Sequence, residues 1–296
     1  MRVTIRVSEG SIVRSKHLLR WASLPIAGLT VLALSGCSQE ELNRGLLPGV
    51  PGITNHTDRI TGLWTTSWTV LWVVGAIAWG LLAWALIVYR KRKGDNSVPP
   101  QMRYNNPIET LFTVIPLILV VGFFAFTARD LAAIEEPNDP AVKIQVIGKQ
   151  WSWDFNYVNE NVYSSGIQSQ FAGEKGSEAS LPTLYLPVNK PVQIDLSARD
   201  VIHSFWVVDF LYKKDMFPGR TNHMYFTPQV IGDYKGKCAE LCGEYHSLML
   251  FNVKVVSEAE YKAHIASLSA AGNVGQLDTK YDRNQNLPAD NPEVRG

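Results

Sequence analysis

Three stretches of the chain carry no charged side chain, and their lengths set them apart. Residues 21–36 (WASLPIAGLTVLALSG) form an apolar run that is short for a membrane span of about 20 residues. Residues 64–89 form a longer one that includes Trp64, Trp68, Trp72, Trp79 and Trp84. At about 1.5 Å per residue, a helix of this length crosses a hydrocarbon core about 30 Å thick. The third run, Thr110 to Ala128, predicts a return helix, with Pro116 inside it as a candidate kink.

Beyond residue 140 the period changes from long apolar runs to alternation. Val142-Lys143-Ile144-Gln145-Val146, Val192-Gln193-Ile194-Asp195-Leu196 and Phe251-Asn252-Val253-Lys254-Val255 alternate apolar with polar residues, the pattern of half-buried strands. Several such strands within residues 142–256 predict an all-β sandwich or Greek-key barrel. Residues 158–180, rich in Ser, Asn, Gly and Glu, read as a long surface loop, and residues 38–63 as an exposed linker. Ser257 with Glu260 resembles a capping box and predicts a short helix over 258–268. Residues 271–296 are polar and expected to fray. No internal repeat is evident.

Charge orients these elements. The formal net charge is only +1, and nothing in it calls for a nucleic-acid partner. Residues 1–129 hold 13 Lys/Arg against 6 Asp/Glu, and residues 130–296 hold 15 against 21. Arg90-Lys91-Arg92-Lys93 directly follows the first long run, and such clusters mark the cytoplasmic side. The segment between the two spans therefore faces the cytoplasm, and everything after residue 130 lies outside. An acidic outer part suits a basic partner, though it serves equally as ordinary solubilising charge. At the N-terminus, Arg14, Lys16 and Arg20 precede the short apolar run, which reads as an export signal. The run ends in Leu34-Ser35-Gly36-Cys37, resembling a lipobox, so Cys37 is the expected lipidation site. The expected organisation is a signal peptide over 1–36, an extracytoplasmic linker over 37–63 and a transmembrane hairpin over 64–129. A linker over 130–141, the β domain over 142–256 and a helix with a polar tail over 257–296 follow.

Chemistry concentrates in Cys238-Ala-Glu240-Leu-Cys242-Gly-Glu-Tyr-His246-Ser-Leu-Met249, with His203 35 residues before the first of these cysteines. Two thiols, an imidazole and a thioether in so short a stretch suit copper, for which Met is a habitual weak ligand. Two cysteines four apart can bridge a pair of copper ions, whereas a mononuclear blue-copper site needs one. Sharing an electron over two ions spreads the charge change and lowers the reorganisation of electron transfer. Other readings stay open for the parts: a Cys238–Cys242 disulfide in an oxidising compartment, zinc held by two Cys and two His, or Met249 as plain core. Their conjunction beyond a membrane hairpin favours copper. His56, His223 and His264 lack a matching set and read as surface or loop residues.

Three motifs then carry a resemblance: Asp200-Val-Ile-His203-Ser-Phe-Trp206, Pro218-Gly219-Arg220, and the Cys-x-Glu-x-Cys-x-x-x-His-x-x-Met stretch. Together they resemble the signature of cytochrome c oxidase subunit II, over roughly residues 60–256. The resemblance implies a two-helix membrane α-hairpin with a cupredoxin-like Greek-key domain outside the plasma membrane of a bacterium. It implies a dinuclear copper A centre, with His203, Cys238, Cys242 and Met249 on one copper. His246, both cysteines and the Glu240 carbonyl would ligate the other. The Glu240 side chain would reach a magnesium ion shared with subunit I. Gly148-Lys-Gln-Trp151-Ser-Trp153 is similar to the family's aromatic motif, with Trp151 between a docked cytochrome and the copper. Asn106-Pro-Ile-Glu109 resembles the start of the family's second helix, with Glu109 at the mouth of a proton channel, although a carboxylate there also favours the helix dipole.

The implied function is to take electrons from cytochrome c, soluble or membrane-anchored, and pass them to haem in subunit I. Oxygen is reduced to water there with proton pumping, alongside other oxidase subunits and membrane lipid. A copper-delivery lipoprotein is the competing class, but it needs neither hairpin, Glu109 nor Trp151. Quinol-oxidising relatives lack the copper ligands, and no Cys-x-x-Cys-His haem motif occurs. One departure is local: Val207-Val208-Asp209 stands where the family usually has Pro two residues after the Trp.

Cysteine labelling in intact cells checks the orientation. Ser97→Cys is expected to react only after the membrane is permeabilised, and Ala270→Cys without permeabilisation. A cytoplasmic residue 270 would overturn the topology.

Overall fold

A computed structural model describes residues 28, 36, 38–94, 97–168 and 180–280. The expected signal peptide, Cys37, the core of the 158–180 loop and the end of the tail lie outside these. The chain divides into two units, Met1–Leu47 and Pro48–Gly296. In the first, Ser38 caps helix α1 (Gln39–Asn43) through a capping box with Glu41.

The two long apolar runs of the second unit fold as α2 (Thr57–Val88) and α3 (Asn106–Glu135). Their most apolar 18-residue stretches have mean hydropathies of 2.2 and 2.5 and are not buried against protein, as expected of surfaces that face lipid. Helices of 32 and 30 residues span about 45–48 Å at 1.5 Å per residue, well beyond a core of about 30 Å. The surplus lies partly at the outer end, where both helices extend past their charge-free runs to meet the β domain. Pro116 is accommodated inside α3 without ending it.

Among the described residues, ten strands build the outer domain: β1 (Val142–Lys149), β2 (Ser152–Tyr157), β3 (Val162–Ser165), β4 (Thr183–Pro187), β5 (Val192–Ala198), β6 (His203–Val207), β7 (Tyr212–Met216), β8 (Asn222–Phe226), β9 (Gly232–Cys238) and β10 (Leu250–Val256). They form two sheets, ordered β3-β2-β1-β5-β8 and β4-β10-β9-β6-β7. β1 runs parallel to β5 and β4 parallel to β10, while the other pairs are antiparallel. The alternation seen in the sequence decides which face turns inward: Phe251, Val253 and Val255 of β10 are buried, and the residues between them less so. They meet Ile144, Val146, Trp153, Phe155, Ile194 and Phe205 in one core. Helix α4 (Glu258–Ala270), capped by Ser257 and Glu260, lays Tyr261 against Tyr157 of that core.

Three segments and two histidines differ from the sequence reading. Residues 53–57 are no exposed linker: Ile53, Thr54, His56 and Thr57 are buried. Main-chain bonds Asn55 N–H to Thr227 O (3.2 Å) and Gln229 N–H to Ile53 O (2.8 Å) hold the segment beside the end of β8. Residues 162–165 of the expected loop form β3. Residues 273–277 are not frayed, since Val274 bridges Val162 and the Asn156 side chain bonds both the N–H and the C=O of Leu277, at 2.9 and 3.0 Å. Two histidines read as surface or loop residues are packed: His56 lies 2.9 Å from the Tyr225 carbonyl, and His264 stacks on Tyr185 at 3.7 Å. The physical reason is shared. Main-chain hydrogen bonds and single polar anchors hold these pieces, and neither leaves a periodic pattern.

Below the first sheet lies a buried ionic cluster. Lys149 Nζ is 2.7 Å from Asp154 Oδ1 and Arg199 reaches the other carboxylate oxygen at 3.2 Å, with all three side chains at least nine-tenths buried. Removing the shared anion strands two buried cations. Asp154→Asn is therefore expected to destabilise the outer domain by about 3–5 kcal/mol. Glu258→Gln, at an exposed pair with Lys190 and Lys262, is expected to cost about 1 kcal/mol or less. Denaturant unfolding followed by Trp fluorescence compares them, and equal losses would show that the cluster carries no special weight.

Candidate metal centre

The loop joining β9 to β10 leaves and returns at one point, because the Cys238 N–H bonds the Met249 carbonyl at 3.0 Å. Cys238 ends one strand and Met249 precedes the next, so both are fixed by sheet geometry. Within the loop, a 3-10 turn over His246–Leu248 turns His246 back toward the neck. β6 pairs with β9 so that Phe205 lies opposite Cys238. That register brings His203, two residues earlier, to the same end of the sandwich.

The side chains converge. Cys238 Sγ lies 3.8 Å from His203 Nδ1 and 3.8 Å from Cys242 Sγ. Cys242 Sγ lies 3.5 Å from His246 Nδ1 and 3.7 Å from Met249 Sδ. The Glu240 carbonyl is 3.2 Å from Cys238 Sγ. Ligand atoms bonded to one ion at about 2.0–2.3 Å sit about 3.3–3.8 Å apart in a tetrahedral arrangement, so the donors fit a metal. They do not fit the disulfide reading, because both cysteines are free. His203, Cys238, Cys242 and Met249 are buried, His246 is half-buried, and the Glu240 side chain is exposed.

A scaffold around the donors holds them. Asp200 Oδ1 lies 2.7 Å from His203 Nε2, leaving Nδ1 turned to the sulfurs, the carboxylate–histidine pairing that orients metal-bound imidazoles. The same carboxylate accepts the N–H groups of Gln150 (2.7 Å) and Val201 (2.6 Å). The Gln150 amide donates to the Cys242 carbonyl at 2.7 Å, and Trp151 Nε1–H reaches the same oxygen at 3.3 Å. Trp151 also meets Tyr245 edge-on at 4.9 Å. Buried Trp153 packs beside His203 and donates to the Met249 carbonyl.

Two glycines are steric requirements of this packing. A Cβ on Gly148 would come within 2.9 Å of the His203 ring. Gly243 sits at φ +125°, closed to other residues without strain, with Trp151 and Gln150 about 3.1 Å from where its Cβ would be.

Electrostatics follow the contacts. Burial disfavours the His203 cation, but the hydrogen bonds to Asp200 and Cys238 outweigh it and the net shift is upward. The Sγ–Sγ contact pulls the Cys238 thiol far down and pushes Cys242 up.

The remaining sequence candidates lie apart from the cluster or at its edge. Trp151 borders it, half-buried. Glu109 is on α3, where its Oε1 accepts the Asn105 N–H at 2.9 Å while Asn105 caps the helix. Cys37 is outside the described residues. Sequence reasoning missed the roles of Asp200, Gln150, Gly243 and Tyr245. Their only signal was proximity to the ligand motifs.

Residues 142–256 match the family model described as cytochrome C oxidase subunit II, periplasmic domain. A probable cytochrome c oxidase subunit 2 of Streptomyces avermitilis is 39% identical over 293 residues, covering 88% of this chain and 91% of that protein. Cytochrome c oxidase subunit 2 of Mycobacterium tuberculosis is 30% identical, covering 88% of this chain and 85% of that one. The crystal structure of the periplasmic domain of subunit II of cytochrome oxidase of Bradyrhizobium japonicum is 27% identical, with a TM-score of 0.42, covering 45% of this chain and 97% of that one. With such identity along nearly the whole length of the Streptomyces and Mycobacterium proteins, and a sulfur-rich cluster of metal-suited donors at the end of its β-sandwich, this chain belongs to the cytochrome c oxidase subunit II family.

Proposed function

We propose that the outer domain holds two copper ions between His203, Cys238, Cys242, His246, Met249 and the Glu240 carbonyl. The observation that carries this is the convergence of five side-chain donors and one carbonyl on a single Sγ–Sγ pair. Six donors exceed the four that a single tetrahedral ion takes, and the soft sulfurs favour copper over zinc. Bound there, the copper pair supplies a one-electron relay from cytochrome c to haem in subunit I, where oxygen is reduced to water with proton pumping.

The chain's own residues do the positioning. Asp200 holds the His203 tautomer, and Gln150 braces the Cys242 carbonyl. Trp151 is both half-buried and hydrogen-bonded to the carbonyl of a ligand residue, which suits electron input from a docked cytochrome c. The exposed Glu240 carboxylate is free to reach a magnesium ion shared with subunit I. Glu109 opens the second membrane helix at its cytoplasmic end, the place for a proton-channel mouth, and serves the helix cap there as well. Removal of residues 1–36 would leave a lipidated Cys37 as a third membrane attachment, which the preceding Leu34-Ser35-Gly36 supports.

Metal analysis with electron paramagnetic resonance tests the centre. Two coppers per chain sharing one unpaired electron are expected. One copper with a four-line mononuclear spectrum would overturn the dinuclear reading. Trp151→Phe is expected to keep that spectrum while slowing flash-initiated electron transfer from cytochrome c at low salt. An unchanged rate with normal docking would make Trp151 structural only. Intact mass of the purified chain checks processing, and a mature protein that still begins at Met1 would exclude the lipoprotein form.

A further inference from the structure

The two membrane helices leave space between them over part of their outer halves. Between them runs an open apolar cleft of about 250 Å³, lined among others by Thr66 and Val70 of α2 and Ile118, Gly122 and Phe126 of α3. Above it, at the end nearest the β domain, two arginines converge on one carboxylate. Arg59 contacts Asp130 at 3.0 Å, and Arg129 contacts the same oxygen at 3.0 and 3.2 Å. Asp130 is almost wholly buried, whereas the Arg59 and Arg129 side chains are 42% and 64% exposed. The trio carries a net positive charge, and each guanidinium keeps N–H groups that Asp130 does not occupy. Arg129 also lies over the Phe126 ring at 4.6 Å, so cation and cleft are continuous.

From these observations we propose that the cleft is the binding site of one anionic phospholipid of the outer leaflet, its phosphate on Arg59 and Arg129 and an acyl chain between the helices. The dimensions agree. Arg59 to Val70 and Arg129 to Ile118 are each eleven residues, or about 16 Å along a helix. The cleft therefore ends about halfway through a hydrocarbon core of about 30 Å, the depth of one leaflet. The arginines stand at the interface, where lipid phosphates lie and where long cationic side chains settle. An apolar helix of a neighbouring subunit would fill the apolar part but would leave the net positive charge of the trio and the remaining guanidinium N–H groups unanswered. An anionic lipid satisfies both with one molecule, and charge-assisted bonds from arginine to phosphate are strong and directional. Gly122 has open space around its α-carbon, so the cleft can be filled by substitution without disturbing the packed helices.

The assembled oxidase in mild detergent, incubated with phosphatidylglycerol carrying a photoreactive group in one acyl chain, tests this. Cross-links are expected to concentrate on residues 66–70 and 118–126. Gly122→Leu is expected to reduce their yield about tenfold, and so is the triple variant Arg59→Gln, Arg129→Gln, Asp130→Asn, which removes both cations without stranding the carboxylate. Both variants are expected to retain subunit I and the copper spectrum. A diacylglycerol probe with the same reactive chain but no phosphate is expected to label these residues weakly. Labelling spread evenly along the helices, equal labelling by diacylglycerol, or loss of subunit I in Gly122→Leu would each overturn the proposal. The last would show that a protein helix fills the cleft.

Discussion

A single carboxylate organises the metal end of this protein. Asp200 accepts from the Gln150 and Val201 main-chain N–H groups and lies against His203 Nε2. Those bonds connect the β1–β2 turn, the start of β6 and one prospective ligand. Because Gln150 then reaches the Cys242 carbonyl, the cysteine loop is tied to the same point from the opposite side. A carboxylate with three partners is satisfied in a place that burial would otherwise make costly. An imidazole locked at one nitrogen offers only the other to metal. Remove Asp200 and each of the three pieces loses its reference to the other two.

The second constraint is mechanical: the outer domain must keep its aim relative to the membrane. Two attachments serve this. Residues 53–57, which lead into the first turn of α2, run beside the end of β8, and Glu135 at the end of α3 bonds Tyr212 and Lys214 of β7. β8 and β7 belong to different sheets, so the hairpin grips both layers of the sandwich. A domain held at both ends of a helical hairpin is less free to swing than one hung from a single linker. Electron transfer to a partner in the membrane depends on such fixed separation.

How much of this was legible in the sequence depends on what kind of force holds each part. The membrane helices were legible because lipid forbids charge over a whole span, but their outer ends were not. There, Arg59 and Arg129 answer to Asp130, and Glu135 answers to Tyr212 and Lys214 of the β domain, so charge ceases to mark a boundary. The strands at 142, 192 and 251 were legible because one face of each is buried and the other is not. β2 was not, since all its residues are buried and no alternation survives. Ligand candidates were legible because Cys, His and Met at close spacing are chemically unusual. The scaffold was not, because Gln150 and Gly243 act through an amide bond to a carbonyl and through a backbone angle. Neither function demands a residue type that stands out in a list of letters.

Burial across the centre is lopsided, and the asymmetry bears on how it works. His203 and Met249 are fully buried and the two cysteines nearly so, while His246 is half-buried. Trp151 and Tyr245 flank that more open side as an edge-on aromatic pair, joined to the ligand loop through the Cys242 carbonyl. Dry surroundings on most sides limit the reorientation of water when charge changes at the centre, because fixed dipoles and packed rings replace solvent there. The price is that a buried centre is distant from any donor. In the proposed electron-entry role, an indole half in solvent and hydrogen-bonded to the Cys242 carbonyl would shorten that gap at one place without wetting the rest. Leu241, 78% exposed beside Glu240, adds an apolar contact on the outer loop that a partner surface can cover. The arrangement therefore separates two demands, insulation and access, onto different faces of the same eleven-residue loop.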